Sequence, residues 1–308
     1  MRGVESSGHQ SVLLEEVLGM LKPEPGKTIL DATLGAGGHT EALLQRGAQV
    51  TGVDQDAEAL NFSKQRLGRF GAQFRGVHGN FAEVLETLAE PFDGLLMDLG
   101  ISSRQLEAKE RGFSFQKDGP LDMRMSQEGK TAAQLIALWE EKHLAAILRE
   151  FGEERFARAI ARALKQRLPQ TTLEAVACIE RAVPRALWPR KIHVATKFFQ
   201  ALRIAVNGEL EALKVALECL PQCLKVGGIA VVISFHSLED RLVKQKFLAL
   251  SGRTPLLAEQ ARLPIVGTCL KEAAFSLLTP KAIGPSEQEV RENPRARSAK
   301  LRAIVRRV

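Results

Sequence analysis

The sequence predicts an α/β protein, a doubly wound sheet interrupted by an inserted helical domain. Three observations carry this. Short apolar runs alternate with amphipathic helical patterns over residues 28–98, helical periodicity alone fills 105–205, and the alternation resumes from 206. The flanking stretches, 1–104 and 206–308, are therefore expected to build one discontinuous sheet domain, with 105–205 inserted between them as a helical one.

The bulk numbers agree with a folded chain of one large domain or two. It has 308 residues, 45% of them hydrophobic. Lys and Arg outnumber Asp and Glu by 43 to 36, for a net charge of +7, which suits a polyanionic partner such as nucleic acid. Cys178, Cys219, Cys223 and Cys269 form no C-x-x-C pair and have no histidine nearby to complete a zinc site, so they read as buried thiols and no metal is expected. With no signal-peptide pattern and no apolar run of membrane-spanning length, the expected location is the cytoplasm.

In chain order, Val12–Leu18 carries apolar residues at helical spacing, with Ser11 as the expected N-cap and Pro23 and Pro25 beyond its end. His9, just ahead of it, could line a site or lie exposed. Thr28-Ile29-Leu30 is a short buried strand, and Thr40–Gln45 opens a helix. Between them lies Asp31-Ala32-Thr33-Leu34-Gly35-Ala36-Gly37-Gly38-His39. Glycines between a strand and a helix allow a tight turn and close approach of a ligand to the helix N-terminus. A dinucleotide fingerprint would need glycine where this chain has Thr40, so a pyrophosphate cradle is disfavoured. A carboxylate at Asp31 would repel phosphate and suit a cation. The loop, with Gly35, Gly37, Gly38 and His39, therefore reads as a site for the methyl donor S-adenosyl-L-methionine, and the sheet as a Rossmann-like methyltransferase sheet.

The second strand, Ala48–Asp54, ends in the acid expected to meet ribose hydroxyls, with Asp56 a solvated neighbour. A helix at Ala57–Arg69 and a strand at Gln73–His78 follow. Phe81 is either core or a partner for an adenine ring. The fourth strand, Phe92–Asp98, delivers Asp98 and then Ser102 and Ser103 to the edge where substrate would arrive. In the helical stretch, Arg155, Arg158, Arg162 and Lys165 share one helix face, which is a solvated surface or a phosphate-tracking one. His193, Lys197 and Arg203 add polar candidates near the return to the sheet. Leu210–Leu220 is a helix, Gly227-Gly228 punctuates the chain, and the strand Ile229–Ile233 delivers Ser234-Phe235-His236-Ser237 to the same edge. Ala303-Ile304-Val305 reads as a last, edge strand in a basic tail.

Several long blocks then resemble one family. They are Asp98-Leu99-Gly100-Ile101-Ser102-Ser103, Arg111-Gly112-Phe113-Ser114-Phe115, Asp118–Met125, Gly152-Glu153-Glu154-Arg155, Phe199–Ile204, Ser234–Arg241 and Asn293–Arg302. Together they resemble the bacterial family that methylates N4 of a cytosine in 16S ribosomal RNA, in the decoding region of the small subunit. The resemblance covers nearly the whole chain. It implies donor contacts at Gly37, Gly38, His39, Asp54, Phe81, Asp98 and Gln105. The implied partner is 16S ribosomal RNA or the small ribosomal subunit, and a homodimer is left open. Asp98, Ser102, Ser103, His236 and Ser237 are the candidates for handling the target amine. The family's usual His-Pro-Ala-Thr-Arg reads His193-Val194-Ala195-Thr196-Lys197 here, and a late Thr-Lys-Lys-Pro reads Thr279-Pro280-Lys281-Ala282, leaving the role of 252–285 open. Two rival classes share parts of this pattern. An oxidoreductase would use the sheet but want the third glycine; a non-enzymatic RNA binder would need neither the loop nor Asp54.

Overall fold

Strand and helix alternate as the apolar pattern requires, and the strands assemble into one sheet. The computed structural model describes residues 11–152, 155–253 and 273–308. Its folded chain divides into two compact units, the described residues of Met1–Gly100 with Ala212–Val308, and those of Ile101–Glu211. His9, Cys269, Glu153, Glu154 and most of the 252–285 stretch lie outside the described residues.

The first unit holds α1 (Leu14–Leu21), β1 (Thr28–Asp31), α2 (Gly38–Gln45), β2 (Gln49–Asp54), α3 (Ala57–Leu67), β3 (Phe74–His78), α4 (Phe81–Glu86) and β4 (Phe92–Asp98). After the second unit it resumes with most of α11 (Glu209–Cys223), then β5 (Leu224–Ser234), α12 (Ser237–Leu250), β6 (Phe275–Leu277), α13 (Glu287–Glu292) and β7 (Lys300–Arg306). The seven strands run in the order β3-β2-β1-β4-β5-β7-β6. The first five are parallel, and β7 is antiparallel to both neighbours. Order 3-2-1-4-5 reverses direction between β1 and β4, and in such doubly wound sheets the ligand crevice lies at the strands' carboxyl ends beside that switch. One face buries Val17, Leu43 and Leu96 under α1 and α2, and the other buries Leu95, Leu217 and Phe247 under α11 and α12.

Four expectations need correcting. Ser11 does not cap α1; Leu13 does, in a left-handed conformation, and its backbone N–H donates to Glu289 Oε1 at 2.7 Å, a cap supplied from α13. Asp56 is buried, not solvated, because its side chain caps α3 by accepting from Glu58 N–H. Gly227 and Gly228 lie inside β5, where the register against β4 shifts between Phe92 and Gly94. Finally, β7 is not an edge strand. It pairs with β5 over Ile229–Ser234 and with β6 on its other side, so its apolar run is buried between them.

The second unit is helical: α5 (Ser103–Glu107), α6 (Ala132–Leu138), α7 (Glu141–Gly152), α8 (Ala157–Arg167), α9 (Thr172–Ala182) and α10 (Thr196–Asn207). Phe113, Ile136, Leu148, Ile160, Ile179 and Phe198 form its core, and Ile101 and Leu106 pack against it. At its other end Asn207 accepts from Met125 N–H, and Arg203 forks onto Glu209 with two bonds of 2.8 Å. These contacts place its limits at Ile101 and Glu211, so Ser102 and Ser103 belong to it.

Candidate active site

Three strands of the first unit end in acids at one edge: Asp31 on β1, Asp54 on β2 and Asp98 on β4. Each has a different occupation. Asp31 is buried, with Oδ2 accepting from Thr40 Oγ at 2.7 Å and Oδ1 from Thr33 N–H at 3.2 Å. It braces the glycine loop from beneath, and Thr40, the residue that departs from the dinucleotide fingerprint, is its partner. Asp54 accepts from Gly35 N–H at 2.7 Å and from Asp56 N–H at 2.8 Å, one bond to each oxygen, leaving lone pairs on both. Asp98 is held by its backbone, whose N–H donates to Thr33 Oγ at 2.6 Å. Its Oδ2 lies 3.6 Å from His39 Nδ1, while its Oδ1 is buried with no hydrogen-bond partner among the described residues.

Burial pushes the carboxyls of Asp31, Asp54 and Asp98 up to about 6. At Asp98 the His39 ring pulls the other way, and Asp31 and Glu239 add to the rise. Unpaired buried carboxylates are costly, and such a cluster is a place where a cation is welcome.

The loop above them is fixed from behind by α3. Ser63 Oγ donates to the Gly35 carbonyl at 2.7 Å, Arg66 donates to the Ala36 carbonyl at 3.1 Å, and Arg66 also pairs with Glu41 of α2. Gly37 sits at φ +77°, and a Cβ there would come within 2.9 Å of Leu67 Cδ1. A Cβ on Gly38 would meet Ser11 Oγ at 2.2 Å, so Ser11 packs against the loop instead of capping its own helix. His39 is buried, and its Nε2 donates to the Val12 carbonyl at 3.0 Å. A carbonyl can only accept, so this bond puts a proton on Nε2 and turns Nδ1 toward the Asp98 carboxyl.

The other candidates fall into place by element. Phe81 opens α4 after the Asn80 cap and is partly buried against the core cluster holding Leu85 and Leu99. His236 is the N-cap of α12: Glu239 N–H donates to its Nδ1 at 3.3 Å, and Glu239 Oε2 accepts from Phe235 and His236 N–H. Its Nε2 is 3.1 Å from Glu239 Oε1 without the alignment of a hydrogen bond, and has no other partner among the described residues. With Nδ1 accepting, the neutral ring offers an N–H at Nε2 and no lone pair. Ser237 is the exposed first residue of that helix. In the second unit Ser102, Ser103 and Gln105 start α5, where Ser102 Oγ accepts from Gln105 N–H and Gln105 Oε1 accepts from Ser102 N–H. Sequence reasoning missed Thr33, Ser63, Arg66 and Glu239. Only Ser63 and Arg66, three apart on one face of the helix after the second strand, left a pattern that could have been read.

A model described as the MraW methylase family matches residues 6–307. The chain belongs to that family. Proteins named ribosomal RNA small subunit methyltransferase H are similar throughout: that of Myxococcus xanthus is 55% identical over 298 residues, covering 96% of this chain and 96% of its own. That of an Anaeromyxobacter species is 51% identical over 304 residues, covering 96% and 97%, and that of a Geobacter species 45% over 313 residues, covering 98% and 99%. The methyl donor of this MraW methylase is S-adenosylmethionine, and the site fits it. A buried Asp98 oxygen with no hydrogen-bond partner among the described residues suits a cation such as its sulfonium or ammonium, and the lone pairs left on Asp54 suit its ribose hydroxyls. Among the described residues no helix is long and apolar enough to cross a membrane.

Proposed function

We propose that this MraW methylase transfers the methyl group of S-adenosylmethionine to the exocyclic N4 of a cytosine in the decoding region of 16S ribosomal RNA, acting in the cytoplasm on the small subunit or its RNA. The observation that carries the chemistry is the buried Asp98 Oδ1, without a hydrogen-bond partner among the described residues, at the end of the strand beside the donor loop. Relatives named for the small-subunit RNA support an RNA target there, and the resemblance carried by the blocks from Asp98 to Met125 supports the cytosine N4.

When bound, S-adenosylmethionine supplies a methyl group already activated on a sulfonium. The residues of the chain then have two tasks. The first is positioning. Gly35, Gly37, Gly38 and His39 hold the methionine end, Asp54 the ribose, and Phe81 completes the donor contacts of the first unit. The second is to help a poor nucleophile. The lone pair of an exocyclic amine is delocalised into the ring, and a hydrogen-bond acceptor for its N–H favours the pyramidal nitrogen that can attack. Asp98 is that acceptor. With its pKa raised it would be half protonated near pH 6, and a cation beside it returns it to the carboxylate, the accepting form. His236 cannot take this role through Nδ1, which its helix cap occupies, so it offers its Nε2–H with Ser237 toward the base. Ser102 and Ser103 belong to the second unit, whose helices are the part proposed to recognise the RNA. The amine loses its proton to water after the methyl has moved, so no strong base is needed.

The test is to map methylated cytosines in 16S ribosomal RNA from cells with and without the gene, and to supply purified small subunits from the latter with the protein and labelled donor. Loss of one N4-methyl in the cells and its return in vitro is the expected result. An unchanged methylation map sinks the assignment.

A further inference from the structure

The basic helix face that the sequence offers for RNA is partly spent within the second unit. Lys165 Nζ donates to the Ile136 and Ala137 carbonyls at the end of α6, at 3.1 and 2.8 Å, and Arg162 lies 3.6 Å from Glu141. A different stretch keeps its charge. Residues 181–208 contain six Lys or Arg and no Asp or Glu. Within it the link between α9 and α10 exposes Arg185, Arg190 and Lys191, none of which pairs with a carboxylate among the described residues.

The same link carries aromatic rings. Trp188 is half-buried and oriented by its Nε1–H, which donates to the Val183 carbonyl at 3.0 Å. Arg185 lies over it at 5.2 Å from the ring centre. His193 stands 5.8 Å from Trp188 and 5.0 Å from Phe115, which in turn packs on Phe199. His193 is exposed; its Nδ1 accepts from Ala195 N–H, and its Nε2 is 3.3 Å from Glu180 Oε1. Pro184 and Pro189 stiffen the link on either side of the tryptophan. Cations without partners beside rings held in fixed orientation are the two elements that single-stranded nucleic acid needs, one for phosphates and one for base faces.

We propose that the 184–193 link is an RNA-docking site: an unpaired base stacks against Trp188 and His193, and flanking phosphates meet Arg190 and Lys191. Duplex RNA is a poor occupant, because its bases are already stacked. The proposal rests on the RNA substrate argued above.

The chain has two tryptophans, so Trp139→Phe leaves Trp188 as the one reporter. Titrating that protein with a short single-stranded oligocytidylate, and separately with 16S ribosomal RNA, should quench Trp188 saturably. Heparin, a polyanion without bases, should compete without quenching. Arg190→Ala with Lys191→Ala should weaken binding and reduce the slope of log affinity against log salt by about 1.4, the value for two contacts to a single strand. Trp188→Leu should weaken binding about tenfold, and Trp188→Phe should keep most of it. Calorimetric donor affinity should be unchanged in all of them, which also reports that the fold persists. RNA that binds without quenching, heparin that quenches equally, or an unaltered salt slope overturns this site while the methylation reading stands. Failure of the unaltered protein to bind or methylate small-subunit RNA overturns both.

Discussion

If Asp98 receives the donor's cation, donor affinity must depend on pH in a way the structure fixes. Burial lifts the Asp98 carboxyl from the ordinary 3.8 to about 6 in the free protein. A cation placed against its unpartnered oxygen should restore the ordinary value, so binding expels a proton wherever the free site holds one. For one acid moving between these two values, affinity should fall about tenfold, or about 1.4 kcal/mol, from roughly pH 7 to roughly pH 5. Little should change above about pH 7, where the carboxylate is already ionised. Isothermal calorimetry of S-adenosylmethionine in buffers of different ionisation enthalpy measures both the affinity and the expelled proton. Asp98→Asn should bind more weakly at neutral pH and lose the slope. S-adenosylhomocysteine, which lacks the sulfonium charge, separates that cation from the ammonium. A flat profile across this window, with no proton released, would refute the claim that Asp98 meets a positive charge.

Other outcomes follow from the same geometry. Asp54→Ala should weaken S-adenosylmethionine about tenfold or more by calorimetry, since a hydrogen bond to a charged group contributes roughly 1.5–3 kcal/mol and the loop also loses its Gly35 anchor. Thermal melting of the free protein should fall as pH rises from roughly 5 to 7: an acid raised in the folded state stabilises it below its unfolded value and loses that contribution through about 6. Asp31, the most buried of the three, contributes about 1.4 kcal/mol of this change; a midpoint that climbs over this range would count against the buried acids. Gly37→Ala, at φ +77° and against Leu67, should lower stability by about 1–2 kcal/mol and weaken the donor, read by melting and calorimetry together. Lys165→Ala should cost about 1 kcal/mol of stability by uncapping α6, with RNA affinity nearly unchanged; a large loss of RNA binding would return the phosphate role to α8.

The sheet's first half was legible because its central strands β1 and β4 carry the apolar runs Ile29-Leu30 and Leu95-Leu96-Met97, each closed by an acid, and a parallel strand buried on both faces leaves that mark. What failed were features set by residues far away in sequence. The cap of α1 comes from Glu289, more than two hundred residues on, so the nearby Ser11 was chosen on local chemistry that the fold overrides. The position of β7 between β5 and β6 depends on pairing alone, and a terminal apolar run looks the same at an edge or one strand in.

The site shows the same division more sharply. Residue type at a strand's end was enough to nominate Asp54 and Asp98, because the topology brings every such end to one edge. It could not say which acids remain available. Asp31 and Asp98 are alike in sequence, each an acid closing an apolar strand, yet Thr33 and Thr40 take both oxygens of Asp31 while Asp98 keeps one unpartnered. Histidine is the harder case, since its role depends on which nitrogen holds the proton. The Val12 carbonyl holds a proton on Nε2 of His39 and leaves Nδ1 facing Asp98, whereas the Glu239 amide takes up Nδ1 of His236 and leaves its Nε2 as the N–H. With Nδ1 of His236 taken up by its helix cap, the acceptor proposed for the amine is a carboxylate. Of the three strand-end acids, Asp98 is the one with a buried oxygen that accepts no hydrogen bond among the described residues, and the reaction proposed here needs such an acceptor.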